Sequence, residues 1–587
     1  MYDYRFAGNA RCFLGGPQTG KTTQLIEELR ALAGKGGSTL VCCATQHMAD
    51  AFKMQAAAAG IDIDNNIEFA TAAHVATLII ATPQAQEVTG RKSHVLCEYE
   101  ERVLLEDMRT SSMKGKRLKE MLGFFYRQFS ELHTPEEWDS TVEEEYILNL
   151  LRSNLDFTGG VLRYELAGVA LQALEGSLDL KERFSWDNVI VDDYALLSRG
   201  MQILVAALAT KQLVIASDVL GARTAPLPFP YLEGIQELID ANPAAHVTQL
   251  TKSNQPAQIV DALGHLRADA SIAPERSLII DGAQAREDAL TLHVADDMGG
   301  ELRVIAQSVT EAQERDESIA VVGTNNIWRS NVVHALEQLE IAVQLPSKKV
   351  SVKDFGDERQ AARVRKNALE QLRANPRDGV AWRSIFAAGD YVARSVGITQ
   401  LKELAHTLGA GMLDTLDSIA CGKIELDEEH KALQEVADIY KQTLAELDAS
   451  ASKGVKSTSD SKDAAQNSSA VLVCRPEELF GMHVDHIVFG GFVDGLIPKR
   501  DYFDTAKVVG ARKERMRAQD VETVHLVLSR ACKSIAFTAF AQASLPVAER
   551  LGLRIDRIRF KEGMRVCSLH PSSLCADMGI APQEDNE

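Results

Sequence analysis

Residues 15–22 read Gly-Gly-Pro-Gln-Thr-Gly-Lys-Thr and fill the pattern GxxxxGK[ST] in full. A short apolar stretch at 11–14 leads in, and a helical pattern runs out from Thr22 to Leu32. The motif has its chemistry only between a strand and a helix, so it commits the chain to an α/β architecture. Its glycines let the backbone curl so that N–H groups face a polyphosphate, and the helix N-terminus adds the positive end of its dipole. Gly15, Gly16, Pro17, Gln18, Thr19, Gly20, Lys21, Thr22 and the adjoining Thr23 are the candidate nucleotide contacts. Lys21 is expected on the β- and γ-phosphates of ATP, and the Thr22 hydroxyl on Mg2+.

The chain has 587 residues, too many for one core, so several domains are expected. Strand signals at Thr39–Cys43, Val189–Val191 and Leu213–Ala216 alternate with helical patterns, as in a parallel sheet. The stretch 95–180 has 3.6-residue apolar spacing and few strand signals. Strand signals return at Ser318–Val322, 355–447 is again helical, and an α/β pattern resumes at Ala470–Cys474 and His486–Phe489. The division that follows is 1–90 with 181–280 as a first α/β domain, and 281–350 with 470–567 as a second. Residues 91–180 and 351–447 are helical insertions, 448–469 a Ser-, Lys-, Asp- and Ala-rich flexible linker, and 568–587 a polar, disordered tail.

Two further strands end in acids. Val189-Ile190-Val191 runs into Asp192-Asp193, which a parallel sheet would carry to the edge beside the phosphate loop. Asp192 would hold Mg2+, mainly through water, and Asp193 would orient or deprotonate the attacking water. Leu213–Ser217 ends in Asp218, a candidate γ-phosphate sensor or a solvated strand end.

These segments, in this order, resemble superfamily 1 DNA helicases of the UvrD/Rep/PcrA type over about residues 10–560. Leu40–Ala51 looks like the family's second segment, with Thr45 and Ala49 retained. Phe184–Ala207 resembles the stretch around its Asp-Glu-Phe-Gln-Asp box. Ile319–Gln344 looks like the start of the second motor domain, and Val484–Pro498 is close to its strand-Gly-x-x-x-Gly-x-x-Pro element. Asp520–Ala531 resembles the closing helix, which puts Arg530 at the arginine-finger position. The resemblance implies two RecA-like P-loop domains, each interrupted by a helical insertion, with ATP between them and single-stranded DNA across both. Thr45 and Thr71 are then candidate DNA contacts.

The departures from the family are selective. No glutamine precedes the phosphate loop to read adenine, so weak selection of the base is expected. Asp193 stands for Glu, Ala195 and Gly221 for Gln, Gly323 for Arg, Phe480-Gly481-Met482-His483 for Lys-Gly-Leu-Glu, and His525 for Tyr. The DNA-stacking aromatic expected after Asp218 is replaced by Thr224. Slow ATP hydrolysis and weak coupling to DNA are expected. The reading is a repair or recombination helicase or translocase, with a non-catalytic subunit that binds ATP and DNA or a protein partner as the alternative.

Charge does not choose between these. A formal charge of −20 argues against a small basic DNA-binding module, yet local potential governs contact. Lys114, Lys116, Arg117 and Lys119, and Lys348, Lys349, Lys353, Arg363, Arg365 and Lys366, are either DNA-facing runs or solvated helical faces. Trp328 and the group Phe124, Phe125, Tyr126 and Phe129 are read as core before base platform. Nine cysteines without a CxxC pair, no apolar run of eighteen residues and no signal-like N-terminus lead us to expect a cytoplasmic protein with no membrane association.

Overall fold

The computed structural model describes residues 3–63, 66–109, 114–138, 140–218, 228–269, 280–286, 288–346, 358–388, 391–451, 470–506, 508–561 and 563–581. The strands, in chain order, are β1 (Asn9–Gly15), β2 (Thr39–Cys43), β3 (Ile67–Thr71), β4 (Trp186–Val191), β5 (Ala209–Ser217) and β6 (His246–Leu250), then β7 (Lys252–Pro256), β8 (Asp281–Ala283) and β9 (Leu290–Asp297). They continue with β10 (Ile319–Val322), β11 (Val343–Gln344), β12 (Val471–Cys474), β13 (Val484–Phe489), β14 (Ala531–Ser544), β15 (Arg557–Lys561) and β16 (Met564–Ser568).

The first six strands form one sheet in the order β3-β2-β4-β5-β1-β6, and every pairing in it is parallel. β2 and the C-terminal parts of β4 and β5 are continuously apolar and buried, because helices cover both faces of a parallel sheet. The second sheet runs β11-β12-β10-β13-β14, with β9 added in parallel to β14. The far end of the long β14 turns antiparallel and carries the β15–β16 hairpin. The protein is thus mixed α/β with two mainly parallel sheets.

Four larger cores accompany this arrangement, and they move three expected boundaries. The Leu166–Gly176 helix buries Leu166, Ala170 and Leu174 in the first-sheet core, so the first insertion ends before it and not at residue 180. The Ala257–Asp269 helix buries Ile259, Leu263 and Leu266 in the second-sheet core, so residue 280 is not the end of the first unit. The tail reading is corrected as well. Leu569, Leu574, Cys575 and Met578 are buried in the second core, and Leu574–Asp577 is helical. Only residues 582–587 of that tail lie outside the described residues, as do residues 452–469 of the expected linker. The linker's first residues belong to the Lys431–Ala451 helix.

The insertions have their own cores, around Phe125, Leu151 and Trp138 in the first and Trp382, Leu401 and Leu433 in the second. They are joined to each other. The Arg383 guanidinium donates to both oxygens of Asp107, at 2.9 and 2.6 Å. His94 lies 2.7 Å from Asp378 through Nδ1 and 3.0 Å from Glu100 through Nε2. The Gly379 amide donates to Ser93 Oγ at 2.8 Å, and a Cβ at Gly379 would collide with the Thr158 backbone. Val380, from the second insertion, completes the core of the first.

Candidate nucleotide cleft

Three adjacent strands bring their C-terminal ends to one place. In the order β4-β5-β1, these ends carry Asp192 and Asp193, then Asp218, then the phosphate loop. The loop closes around Gly15, where a Cβ would lie 2.8 Å from Leu250 O of the neighbouring β6 and would also strike Thr19. Gly20, at φ 85°, turns the chain into the Lys21–Ala33 helix. Thr19 Oγ1 donates to Gly16 O at 2.9 Å, and Lys21 Nζ donates to the carbonyls of Gly15 and Gly16. The lysine thereby lies back along the loop whose phosphates it would meet.

Thr22 Oγ1 donates to Asp192 Oδ2 at 2.8 Å. Burial pushes the Asp192 carboxyl up to about 7, and the charge of Asp193 adds to this. The Thr22 hydroxyl and Lys21 pull the other way. Asp193 sits at φ 51°, with its N–H on Asp192 Oδ1.

The second sheet's unit supplies the opposite wall. A cavity of about 320 Å³ is lined on one side by Pro17–Thr23, Asp193 and Asp218, and on the other by Phe480, His483, His525, Ser529 and Arg530. Arg530 ends the Ala511–Arg530 helix, with its guanidinium 5.7 Å from the Phe480 ring centre. Its Nε is buried and has no hydrogen-bond partner among the described residues. The two walls are tied together. Gln18 Nε2 donates to Ala531 O at 2.9 Å, and the buried Gln255 amide donates to Leu528 O and Ala531 O at 2.8 and 2.7 Å. Phe480 and Leu526 from the second unit bury in the core of the first.

Of the residues singled out in the sequence, the phosphate loop from Pro17 onward, Asp193, Asp218 and Arg530 line this cavity, with Asp192 behind Thr22. Thr45 and Thr71 do not line it. Their hydroxyl oxygens accept from Met48 N and His74 N and cap the helices after β2 and β3. Trp328 is buried and donates to Glu301 at 2.9 Å, a core role. Phe125 is buried beside Trp138, with Phe124 and Phe129 against the same ring. Arg117 faces Glu143, Arg365 faces Glu446 and Lys366 faces Glu370, so these cations sit on mixed-charge helical faces. Lys348, Lys349, Lys353, Gly221 and Thr224 lie outside the described residues.

His483, His525, Ser529 and Asn254 also line the cavity and were not among the candidate site residues. The two histidines had a signal, since both stand where the resembled family has another residue. Asn254 had none. Among the described residues, no helix is long and apolar enough to cross a membrane, and no group of three or more His, Cys, Asp or Glu side chains could hold a metal. No protein-family model matches the chain, and no curated protein matches it.

Proposed function

We propose that the protein is an ATP-dependent DNA helicase or translocase of the UvrD-like type, built on two RecA-like domains and acting in DNA repair or recombination. One observation carries the reading. The phosphate loop from Pro17 onward, the strand-end Asp193 and an arginine from the other unit line a single cavity, with Asp192 behind Thr22. Backbone N–H groups and Lys21 would cradle the triphosphate. Arg530 would meet the charge that develops during phosphoryl transfer, where a fixed cation has most effect. Asp193 would orient the attacking water. Thr22 and Asp192, a hydroxyl and a carboxylate 2.8 Å apart beside that cradle, are a donor set that suits Mg2+. Mg2+ takes the rest of its shell from water and phosphate oxygens.

A second reading, an ATP-binding helicase-like subunit without motor activity, is favoured by a different observation. At Gly323, where the resembled family has arginine, a Cβ would lie 2.5 Å from the Trp328 ring, so an arginine side chain has no room. Phe480, in place of a lysine, is buried in the first core.

The two separate on steady-state phosphate release with and without single-stranded DNA, using the wild type and Lys21→Ala. We expect slow turnover, modest DNA stimulation and loss of both in the variant. Turnover no higher than that of Lys21→Ala rules out the motor and leaves the subunit reading. Nucleotide binding unaffected by Lys21→Ala overturns both.

A further inference from the structure

The cleft contains imidazoles that the proposed chemistry does not use. His483 ends the Phe480–His483 loop and opens to the cavity, and His525 is buried in the same wall, five residues before Arg530 on its helix. The loop is held against the first unit. Gly481, at φ 75°, would place a Cβ 2.8 Å from Met48 and 3.4 Å from His47 on the Gln46–Ala58 helix.

Charged groups face His483 from three elements, Lys21 from the phosphate loop, Asp193 from the end of β4, and Arg530 from its own unit. His47 lies beside Gly481 on the packed helix, and Asp218, His525 and Cys532 line the same cavity. Desolvation by the cleft walls, then Arg530 and Lys21, hold His483 below the ordinary histidine value against the pull of Asp193, although the residue stays solvent-exposed. The empty cleft therefore repels a proton from this ring. A polyphosphate between Lys21 and Arg530 reverses the sign of that field.

We propose that His483 is a nucleotide contact that takes up a proton as the polyphosphate enters, a cation from the second unit that the ligand itself creates. This rests on the reading of residues 15–22 as a phosphate loop. The ligand class is a nucleoside polyphosphate whose terminal phosphates span the two units. The sign follows from linkage. The bound state holds more protons, so affinity falls as pH rises, between the low value of the empty cleft and the higher one of the complex. Each proton taken up steepens the fall by up to about tenfold per pH unit.

The test is calorimetric titration of the full chain and of His483→Gln with Mg2+ and the non-hydrolysable analogue AMP-PNP. It is run at pH 6, 7 and 8, each in two buffers of different protonation heat. Protons released or bound by the analogue or by Asp192 are common to both proteins, so their difference isolates His483. We expect the wild type to take up a larger fraction of a proton than the variant. Its affinity should also fall more steeply with pH, by up to about tenfold per unit. Equal uptake with parallel pH profiles overturns the proposal, as does a variant weakened equally at every pH, which is the mark of a merely structural role. Absence of binding in both proteins, or full binding by Lys21→Ala, instead refutes the phosphate-loop reading and takes this proposal with it.

Discussion

Asp193 at φ 51° is in the left-handed region, where a short carboxylate side chain is far better tolerated than a longer or branched one. That gives a physical reason for aspartate where the resembled family has glutamate, since the turn into Tyr194–Leu196 starts there. Glu301 is a second acid in an unusual place, fully buried on the Met298–Glu314 helix. It accepts from Trp328 Nε1, Gly491 N and Thr538 Oγ1 at 2.9, 2.7 and 2.9 Å. Burial pushes it up to about 7, although all three donors oppose this. A carboxyl raised on folding binds more protons in the folded than in the unfolded state. Its stabilisation is therefore present below the unfolded value near 4.3 and is lost as pH rises through about 7. We expect the unfolding free energy of the wild type in urea to fall from pH 5 to pH 8 by an amount on the order of 1–3 kcal/mol from this group. Glu301→Gln, which cannot ionise, should flatten that slope, and an unchanged slope would show that another group sets it. The phosphate loop and its acids were legible in the sequence because their chemistry lies in residue type and local order. Glu301 was not, because burial across the sequence gap to Gly491 and Thr538 leaves no local pattern.

Among the elements, β7 has the most leverage for its size. Five residues leave the edge of the first sheet, touch the phosphate loop and end against the second unit. Ser253 Oγ donates to Pro17 O at 2.9 Å, Asn254 N donates to Gln18 O at 3.1 Å, and Gln255 reaches the last turn of the Arg530 helix. Gln255→Leu removes two buried hydrogen bonds, while Ala531 O keeps the one from Gln18, for a loss of about 1–3 kcal/mol. We expect this variant to bind nucleotide nearly as the wild type does, because Lys21 and the loop remain. Its phosphate release should fall about tenfold or more through misplacement of Arg530. Equal losses in binding and turnover would show that β7 supports the loop and not the arginine.

The strands were readable where burial is two-sided, as at Thr39–Cys43 and Val484–Phe489, since apolar runs with β-branched residues have few other homes. The hairpin β15–β16 was not, because Arg557-Ile558-Arg559-Phe560-Lys561 is exposed along its whole length and has no buried face to pattern it. Residues 257–269 fell within the expected first domain, because apolar spacing cannot say which of two sheets a helix will cover.

On the scale of the molecule, the junction between the insertions is the strongest feature outside the cleft. Arg383 is 5% exposed and Asp107 15%, so the pair is largely desolvated. Asp107→Ala removes two charge-assisted hydrogen bonds from a buried guanidinium, a loss on the order of 3 kcal/mol. We expect the helical insertions to melt or to become protease-sensitive first, while the two sheets keep their cores. Retention of the wild-type melting temperature would show that the junction is not stabilising. The insertions were legible as helical regions, but their meeting was not, because Asp107 and Arg383 are separated by 276 residues and no sequence period links them.

With that junction in place, the four bodies are not strung in an open series. The sheet units meet at Gln18, Gln255 and Phe480, and the insertions meet at Arg383 and His94. In kinematic terms the chain is held at two separate joints, one at the cleft and one between the insertions. Opening the cleft strains the first joint at Gln18 and Gln255, while the second resists separation of the insertions through Arg383 and His94.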